Sequence, residues 1–133
     1  MGNISGLSAT QDSSDIPVIS TDVTVNATGG NGATAVTIPA LVGQTAYLSS
    51  FEVYSGGATA ATISSITIVG LKGGTLTIPI ALPAGVALAA PYTWVAYDIA
   101  IPASGPNVAI VLNIPAAGGG RTICAGTLRG FYL

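Results

Sequence analysis

The chain has 133 residues, of which half are hydrophobic and only 6% are charged, with three Lys or Arg, five Asp or Glu and no His. General acid–base catalysis usually needs His or paired carboxylates, and nucleic-acid binding needs clustered cations, so this composition argues against both. The single cysteine, Cys124, has no partner for an intrachain disulfide. Without His there is also no nitrogen and sulfur ligand set for a metal, and no cofactor is expected.

The chain opens with a segment, residues 1–21, that differs in composition from the rest. It is rich in Ser and lacks regular alternation of apolar and polar residues until its last part. We predict an extended arm that becomes ordered when it docks, followed by a single domain over residues 22–133. Ile4 and Leu7 are the candidate anchors of this arm on a neighbouring subunit.

Beyond the arm, Gly-rich stretches separate short runs rich in Val, Ile and Thr, and no apolar period of 3.6 residues extends far enough for a helix. This pattern is typical of β-strands joined by turns. The predicted strands cover residues 22–28, 33–39, 45–55, 62–70, 74–82, 92–101, 107–114 and 122–132.

Three of these strands show alternation that assigns one apolar face each. The first set is Leu76, Ile78, Ile80 and Leu82, the second is Val95, Tyr97, Ile99 and Ile101, and the third is Val108, Ile110, Leu112 and Ile114. In the last strand, Cys124, Leu128 and Tyr132 are predicted to face away from Arg129 and Phe131. Pro79 interrupts its ladder, so its strand is expected to lie at a sheet edge or to bend.

Eight short antiparallel strands with Gly-rich connections favour an all-β, jelly-roll-like two-sheet sandwich with an extended N-terminal arm. A closed barrel is the alternative. The uncharged stretch of residues 73–97 is interrupted by Pro, Gly and Thr, so it does not predict a membrane-spanning helix.

The acidic residues give little indication of a metal site or a catalytic site. Asp12, Asp15 and Asp22 lack the spacing of a calcium-binding loop, which favours solvated charges. Glu52 and Asp98 lie in separate predicted strands and could form a glycosidase pair, but ion pairs or simple exposure account for them more readily. No catalytic residue and no metal site is therefore assigned.

Aromatic residues cluster at Tyr92, Trp94 and Tyr97. Tyr92 and Trp94 share one side of a strand, an arrangement that serves a core, a subunit contact or a carbohydrate-binding face. We favour core or interface, and a carbohydrate-binding module remains the alternative from another functional class.

The part of the sequence from Tyr47 to Leu133 resembles small structural proteins of tailed bacteriophages. The similarity lies in the Gly, Ala and Thr-rich stretches 51–61, 69–76 and 101–110, in Ile114-Pro115-Ala116 and in the closing Gly130-Phe131-Tyr132-Leu133. The resemblance implies a capsid decoration (cement) protein on the phage head, a compact β module that contacts the major capsid protein and forms a homo-oligomer, expected to be a trimer.

The composition itself also favours permanent association, because few charges oppose the approach of neighbouring copies. The expected partners are the major capsid protein and copies of the same chain, with no nucleic acid and no membrane. A tail, head-fibre or baseplate component is the closest alternative. The candidate interface residues are Ile4, Leu7, Tyr92, Trp94, Phe131, Tyr132 and Leu133.

Overall fold

The computed structural model describes residues 21–30, 32–56, 62–82, 92–96, 98–116 and 123–133, with the backbone alone at 56, 62–64, 80–82, 92–95 and 123. These residues form an all-β structure, as the sequence predicts. Its strands are β1 (Thr21–Gly29), β2 (Thr34–Ile38), β3 (Ala46–Gly56), β4 (Thr62–Val69), β5 (Leu76–Leu82), β6 (Tyr92–Ala96), β7 (Ile101–Pro102), β8 (Ile110–Ile114) and β9 (Ile123–Tyr132).

The strands build two antiparallel sheets that pack face to face. The first sheet has the order β1-β9-β3-β6, with the short β7 also paired to β3, and the second has the order β2-β8-β4-β5. The main pairs are nested in sequence, since β1 pairs with β9, β2 with β8, β3 with β6 and β4 with β5. This is jelly-roll connectivity, and it confirms the predicted fold class.

The core lies between the sheets and consists of the alternating apolar side chains of both. From the second sheet, Ile110, Leu112 and Ile114 of β8 are fully buried, which confirms their predicted common face. From the first, the inward positions of β9 include Cys124, Leu128 and Tyr132, whereas Arg129 faces solvent. The other central core residues are Val36, Ile38, Leu48, Val53, Ile66 and Ile68.

Glycines in β9 let the two sheets approach closely. A Cβ at Gly126 would lie 2.9 Å from Ile114 Cδ1, 3.0 Å from Val36 Cγ2 and 3.1 Å from Leu112 Cδ2. These three side chains belong to the opposite sheet. Gly126 thus sets the spacing of the sandwich at this point, because any side chain there would occupy space already filled.

A β-bulge at Ser49 changes which residues of β3 face the core. The register with β9 shifts between Leu48 and Ser50, so that Ser49 has no partner residue of its own. Before the bulge Leu48 faces inward, and after it Phe51 and Val53 do. The Ser49 hydroxyl donates a hydrogen bond of 3.0 Å to the carbonyl of Arg129, which fixes the extra residue.

The predicted strand over 92–101 is split into β6 and β7. Asp98 between them has a φ of 58°, a left-handed conformation that a regular strand does not contain. Ala96 on one side of the break and Ile99 and Ile101 on the other all pack against the core. Ala96 and Ile99, three residues apart, would face opposite sides of one continuous strand, so the predicted single face does not run through the break. Of its other predicted members, Val95 is described by its backbone alone and Tyr97 lies outside the described residues.

The proline in β5, Pro79, lies at a sheet edge, where a residue without a backbone N–H is tolerated. β5 pairs with β4 alone in the described part of the chain and forms the edge of the second sheet. Pro79 is exposed there, opposite Ser65 of β4. A missing backbone N–H costs least at such an edge, and the edge position confirms one of the two predicted alternatives.

Candidate interaction surfaces

Charge is distributed unequally between the two sheets. The strands of the first sheet carry Asp22, Glu52 and Arg129, and the alternation places all three on its outer face. The four strands of the second sheet, β2, β4, β5 and β8, contain no charged residue. The sandwich therefore has one outer face with charges and one without, which we name the neutral face.

The neutral face presents small side chains and hydroxyl groups in regular rows. One row runs through Ala35, Asn113, Thr67 and Thr77, which are successive register partners across the sheet. Such a surface offers hydrogen-bond donors and acceptors without charge. Contacts made by it need no charge desolvation and are insensitive to salt.

A shallow groove crosses one end of the neutral face. Its volume is about 270 Å³. It is lined by four apolar residues, Ala33, Ala35, Ile114 and Pro115, and by four polar residues, Thr34, Ser65, Thr67 and Asn113. The lining holds three hydroxyls and one amide but no charged group. These uncharged hydroxyl and amide groups suit an uncharged protein segment or side chain.

At one end of the sandwich, three loops are joined by backbone hydrogen bonds into a rigid platform. We define the loop platform as residues 39–45, 70–75 and 103–109. The N–H of Asn107 donates to the carbonyl of Gln44 (2.9 Å), that of Ser104 to Gly70 (2.8 Å) and that of Lys72 to Pro102 (2.9 Å). Gly70, with a φ of 89°, approaches the Ala109 carbonyl so closely that no side chain would fit.

The loop platform exposes large apolar side chains at its edge. Residues Leu41 to Gln44 form a turn in which the Gln44 N–H donates to the Leu41 carbonyl (3.2 Å) and Gly43 has a φ of 74°. Val42 at the tip is 87% exposed, and Leu41 is 36% exposed. Leu133, which exchanges two backbone hydrogen bonds with Thr45, is 49% exposed. We name Leu41, Val42 and Leu133 the apolar edge.

The predicted interface residues at the end of the chain separate into different environments. Phe131 stacks on Tyr47 on the outer face of the first sheet, with ring centroids 5.0 Å apart and planes 3° from parallel. Tyr132 is only 3% exposed, and its hydroxyl donates a 2.7 Å hydrogen bond to the Pro39 carbonyl. Tyr132 therefore serves the core and has almost no surface to offer a partner, because its ring points between the sheets.

The other predicted interface residues are placed by backbone or lie outside the described part. Tyr92 and Trp94 belong to β6, where they are the register partners of Ser55 and Val53. Ile4 and Leu7 lie outside the described residues.

The acidic candidates occupy different settings. Glu52 is half-buried on the outer face of the first sheet, and Asp98 is exposed in the break between β6 and β7. Among the described residues, no group of three or more His, Cys, Asp or Glu is placed to hold a metal ion. Asp12 and Asp15 lie outside the described ranges.

Two further observations concern membrane-spanning helices and similarity to known proteins. The described residues include no helix long and apolar enough to cross a membrane. Comparison with protein-family models, with curated proteins and with solved structures finds no match.

The apolar edge and the groove were not predicted from the sequence. Leu41 and Val42 lie between the predicted strands 33–39 and 45–55, where no role was predicted for them, although a pair of large apolar residues directly before Gly43 is an unusual composition for a turn. Asn113 reads only as a polar break in an apolar strand. The low charge of the chain, in contrast, is visible in the sequence, although its absence from the strands of the second sheet depends on which strands pair.

Proposed function

We propose that this chain is a non-enzymatic structural protein of a virion, a capsid decoration (cement) protein that binds the outer shell of a phage head and stabilises contacts between capsomers. The observation that carries the proposal is the neutral face, a four-stranded sheet without a charged residue in its strands. The sequence resemblance to small bacteriophage structural proteins supports the same function.

The neutral face fits permanent packing against other protein surfaces. Stable interfaces are depleted in charge at their centres, and here the depletion extends across a whole sheet. The rows of Ala, Thr and Asn allow close approach of a partner and leave hydroxyl and amide groups to pair with it. Copies of the same chain, in a trimer, and the major capsid protein are the proposed partners of this face.

The loop platform is a second observation that supports the proposal. Its three loops are fixed by backbone hydrogen bonds, so that a partner does not have to order them on binding. A rigid platform with an exposed apolar edge is suited to contact with a second surface. Two separate contact surfaces are what a protein that ties neighbours together requires.

The central experiment measures binding to empty capsids and self-association in one set of variants. Thr37 on the neutral face and Thr24 on the charged face are both exposed threonines in strands, which makes them a matched pair. Thr37→Lys places a charge in the proposed interface, and we expect capsid binding or trimer formation to weaken by about tenfold or more. Thr24→Lys is expected to behave like the wild type.

Cosedimentation with empty capsids and sedimentation equilibrium of the free chain are the two readouts. Because the neutral face has no charge, binding is expected to change little between about 0.1 and 1 M NaCl. A chain that is monomeric and does not bind capsids, or a Thr24→Lys variant as weak as Thr37→Lys, would overturn the proposal. Copy number separates the alternatives, since a decoration protein is present in hundreds of copies per particle and a tail or baseplate component in far fewer.

A further inference from the structure

The groove on the neutral face lies where the second sheet divides. The ladder between β4 and β8 ends at the pair Thr67 and Asn113. From there β8 continues beside β2 as far as Ile114, and β4 continues beside β5 as far as Thr62. Beyond the last pair of β4 and β8, no ladder pair of the described residues joins the two halves of the sheet. The groove of about 270 Å³ opens at this division and is lined from both sides of it.

The turn that holds Val42 lies at the other end of the same sheet. Ala35 lines the groove, and β2 runs from there to Ile38, after which the loop platform begins. At about 3.3 Å per residue, the stretch from Ala35 to Pro39 covers about 13 Å, and the turn lies beyond it. Backbone hydrogen bonds hold the turn in the loop platform, so it does not reach the groove of its own chain.

From this arrangement we infer that the turn Leu41–Gln44 of one copy inserts Val42 into the groove of a second copy. The inference rests on the proposed function, because it specifies how neighbouring copies contact each other through the neutral face. Val42 is the most exposed large apolar side chain among the described residues, at 87%. Each chain presents both the protruding apolar group and the uncharged groove, so two copies supply both halves of the contact.

The turn and the groove match in size. A cavity of about 150 Å³ accommodates benzene, which has six carbon atoms. The side chains of Leu41 and Val42 together have seven, so the groove of about 270 Å³ has room for both. The hydrogen bond from the Gln44 N–H to the Leu41 carbonyl already fixes the turn, so insertion orders little additional chain.

The two sides also match in chemistry. Residues 39–45 contain no charged side chain, and neither does the lining of the groove. The apolar part of the lining, which includes Ala35, suits the methyl groups of Val42. Its hydroxyl and amide groups, which include Asn113, suit the peptide groups that the tip of a turn leaves for outside partners. A charged segment would instead be desolvated against a face that offers no opposite charge.

This contact joins two different surfaces, and that determines the symmetry of the assembly. A heterologous contact of this kind, repeated from copy to copy, gives a closed ring when the rotation closes. A ring of three copies is the proposed trimer. In such a ring every groove is filled and every Val42 side chain is buried.

The test uses full-length cysteine variants mixed in solution under mild oxidation. One copy carries Val42→Cys and the other carries Ala35→Cys, and the native Cys124 is fully buried and does not compete. The matched control replaces Ala35→Cys with Thr77→Cys, because Thr77 is exposed on the same face but lies in β5, outside the lining of the groove.

We expect the mixed disulfide of Val42→Cys with Ala35→Cys to form at least several times faster than that with Thr77→Cys, because only the groove brings the two Cα atoms within disulfide distance. Equal rates would overturn the inference. A chain carrying both Val42→Cys and Ala35→Cys that closes a disulfide within itself at high dilution would overturn it as well.

A second measurement tests each half of the contact without added cysteines. Val42→Ser removes the apolar group and Ala35→Trp fills the groove, and each is expected to weaken self-association about tenfold or more in sedimentation equilibrium. Thr77→Trp, the control for the added ring, is expected to associate like the wild type. Mixed in equal amounts, Val42→Ser and Ala35→Trp still supply one intact groove and one intact turn, so we expect pairs with one copy of each. A mixture that associates no more than the separate variants would contradict the inference.

Binding of the wild type to empty capsids is measured separately. If the wild type binds capsids and the cross-linking rates are equal, the inference fails while the proposed function stands. If Val42→Ser and Ala35→Trp lose capsid binding but self-associate like the wild type, the groove takes a segment of the capsid protein, and the inference is overturned. If the wild type does not bind capsids, the proposed function fails whatever the cross-linking rates.

Discussion

Replacement of Gly126 by Ala tests whether this glycine sets the distance between the two sheets. The added Cβ would meet three methyl groups of the opposite sheet at 2.9, 3.0 and 3.1 Å. All three are closer than ordinary van der Waals contact, and they belong to different strands or positions of the second sheet, so that no single rotamer change relieves them. Each of the three methyl groups must move by a few tenths of an ångström, so several side chains of the second sheet must repack together.

The expected loss of stability follows from two opposing effects. Overpacking a dense core costs about 1–3 kcal/mol. Ala in place of Gly recovers roughly 0.5–1 kcal/mol, because it restricts the unfolded chain. With central values of about 2 and 0.75 kcal/mol for the two effects, we expect Gly126→Ala to lower the free energy of unfolding by about 1 kcal/mol and the melting temperature by roughly 3–6 °C.

Urea unfolding followed by tryptophan fluorescence measures this change, with Gly105→Ala as the control. A Cβ at Gly105 has nothing within 4 Å, so that its replacement is expected to be neutral or slightly stabilising. A double-mutant cycle with Val36→Ala adds a sharper criterion, because that change removes one of the three methyl groups. The combined loss should be smaller than the sum of the single losses by at least about 0.5 kcal/mol. Strict additivity, or a Gly126→Ala variant as stable as the wild type, would refute the reasoning.

The remaining predictions concern three buried groups. The Ser55 hydroxyl is fully buried and has no hydrogen-bond partner among the described residues, so Ser55→Ala should raise the free energy of unfolding by about 1 kcal/mol, and a loss in urea unfolding would contradict this. Tyr132→Phe removes the hydrogen bond to Pro39 and should cost about 1 kcal/mol at neutral pH in the same assay. Burial also raises the pKa of Tyr132 above its ordinary value of 10.0. The stability that the neutral phenol contributes is therefore fully present below pH 10 and is lost as the pH rises through the folded-state pKa. In this alkaline range, the Tyr132→Phe variant should lose less stability than the wild type. Cys124, which is fully buried, should react with an aromatic disulfide reagent only after unfolding, and rapid reaction in the native state would show that the core opens there.

The strands of this fold could be predicted because alternation is strong where one face is buried. The faces of β8 and β9 follow directly from Ile110, Leu112 and Leu128, and the nested pairing follows from the usual solution for eight such strands. The bulge could not be predicted, because positions 49 and 50 are both Ser, and a Ser side chain has no strong preference for the core or for the surface. The break at Asp98 was missed for a related reason, since the apolar residues on both sides of it fit one continuous strand equally well.

The candidate surfaces were predictable only in part. A chain with so few charges must have a face without them, but the sequence does not show that Asp22, Glu52 and Arg129 would all lie on one sheet. That separation depends on which strands pair, and the pairing is nonlocal. The exposure of Val42 was also hidden, because composition gives the apolar content of a segment and not the side of a turn on which it lies.

The nested pairing has a consequence for how the chain folds during synthesis. β9 lies between β1 and β3, so the first sheet lacks one of its two inner strands until residues 123–132 have been made. Among the described strands, only β4 and β5 are partners that follow each other in sequence, and the other pairings join strands with further strands between them. Folding of this kind is slow, on a scale of about milliseconds to seconds, and it leaves strand edges open meanwhile. We therefore expect ribosome-bound chains that end before Ile123 to be sensitive to protease and bound by chaperones, and protection to appear in a single step once β9 has emerged.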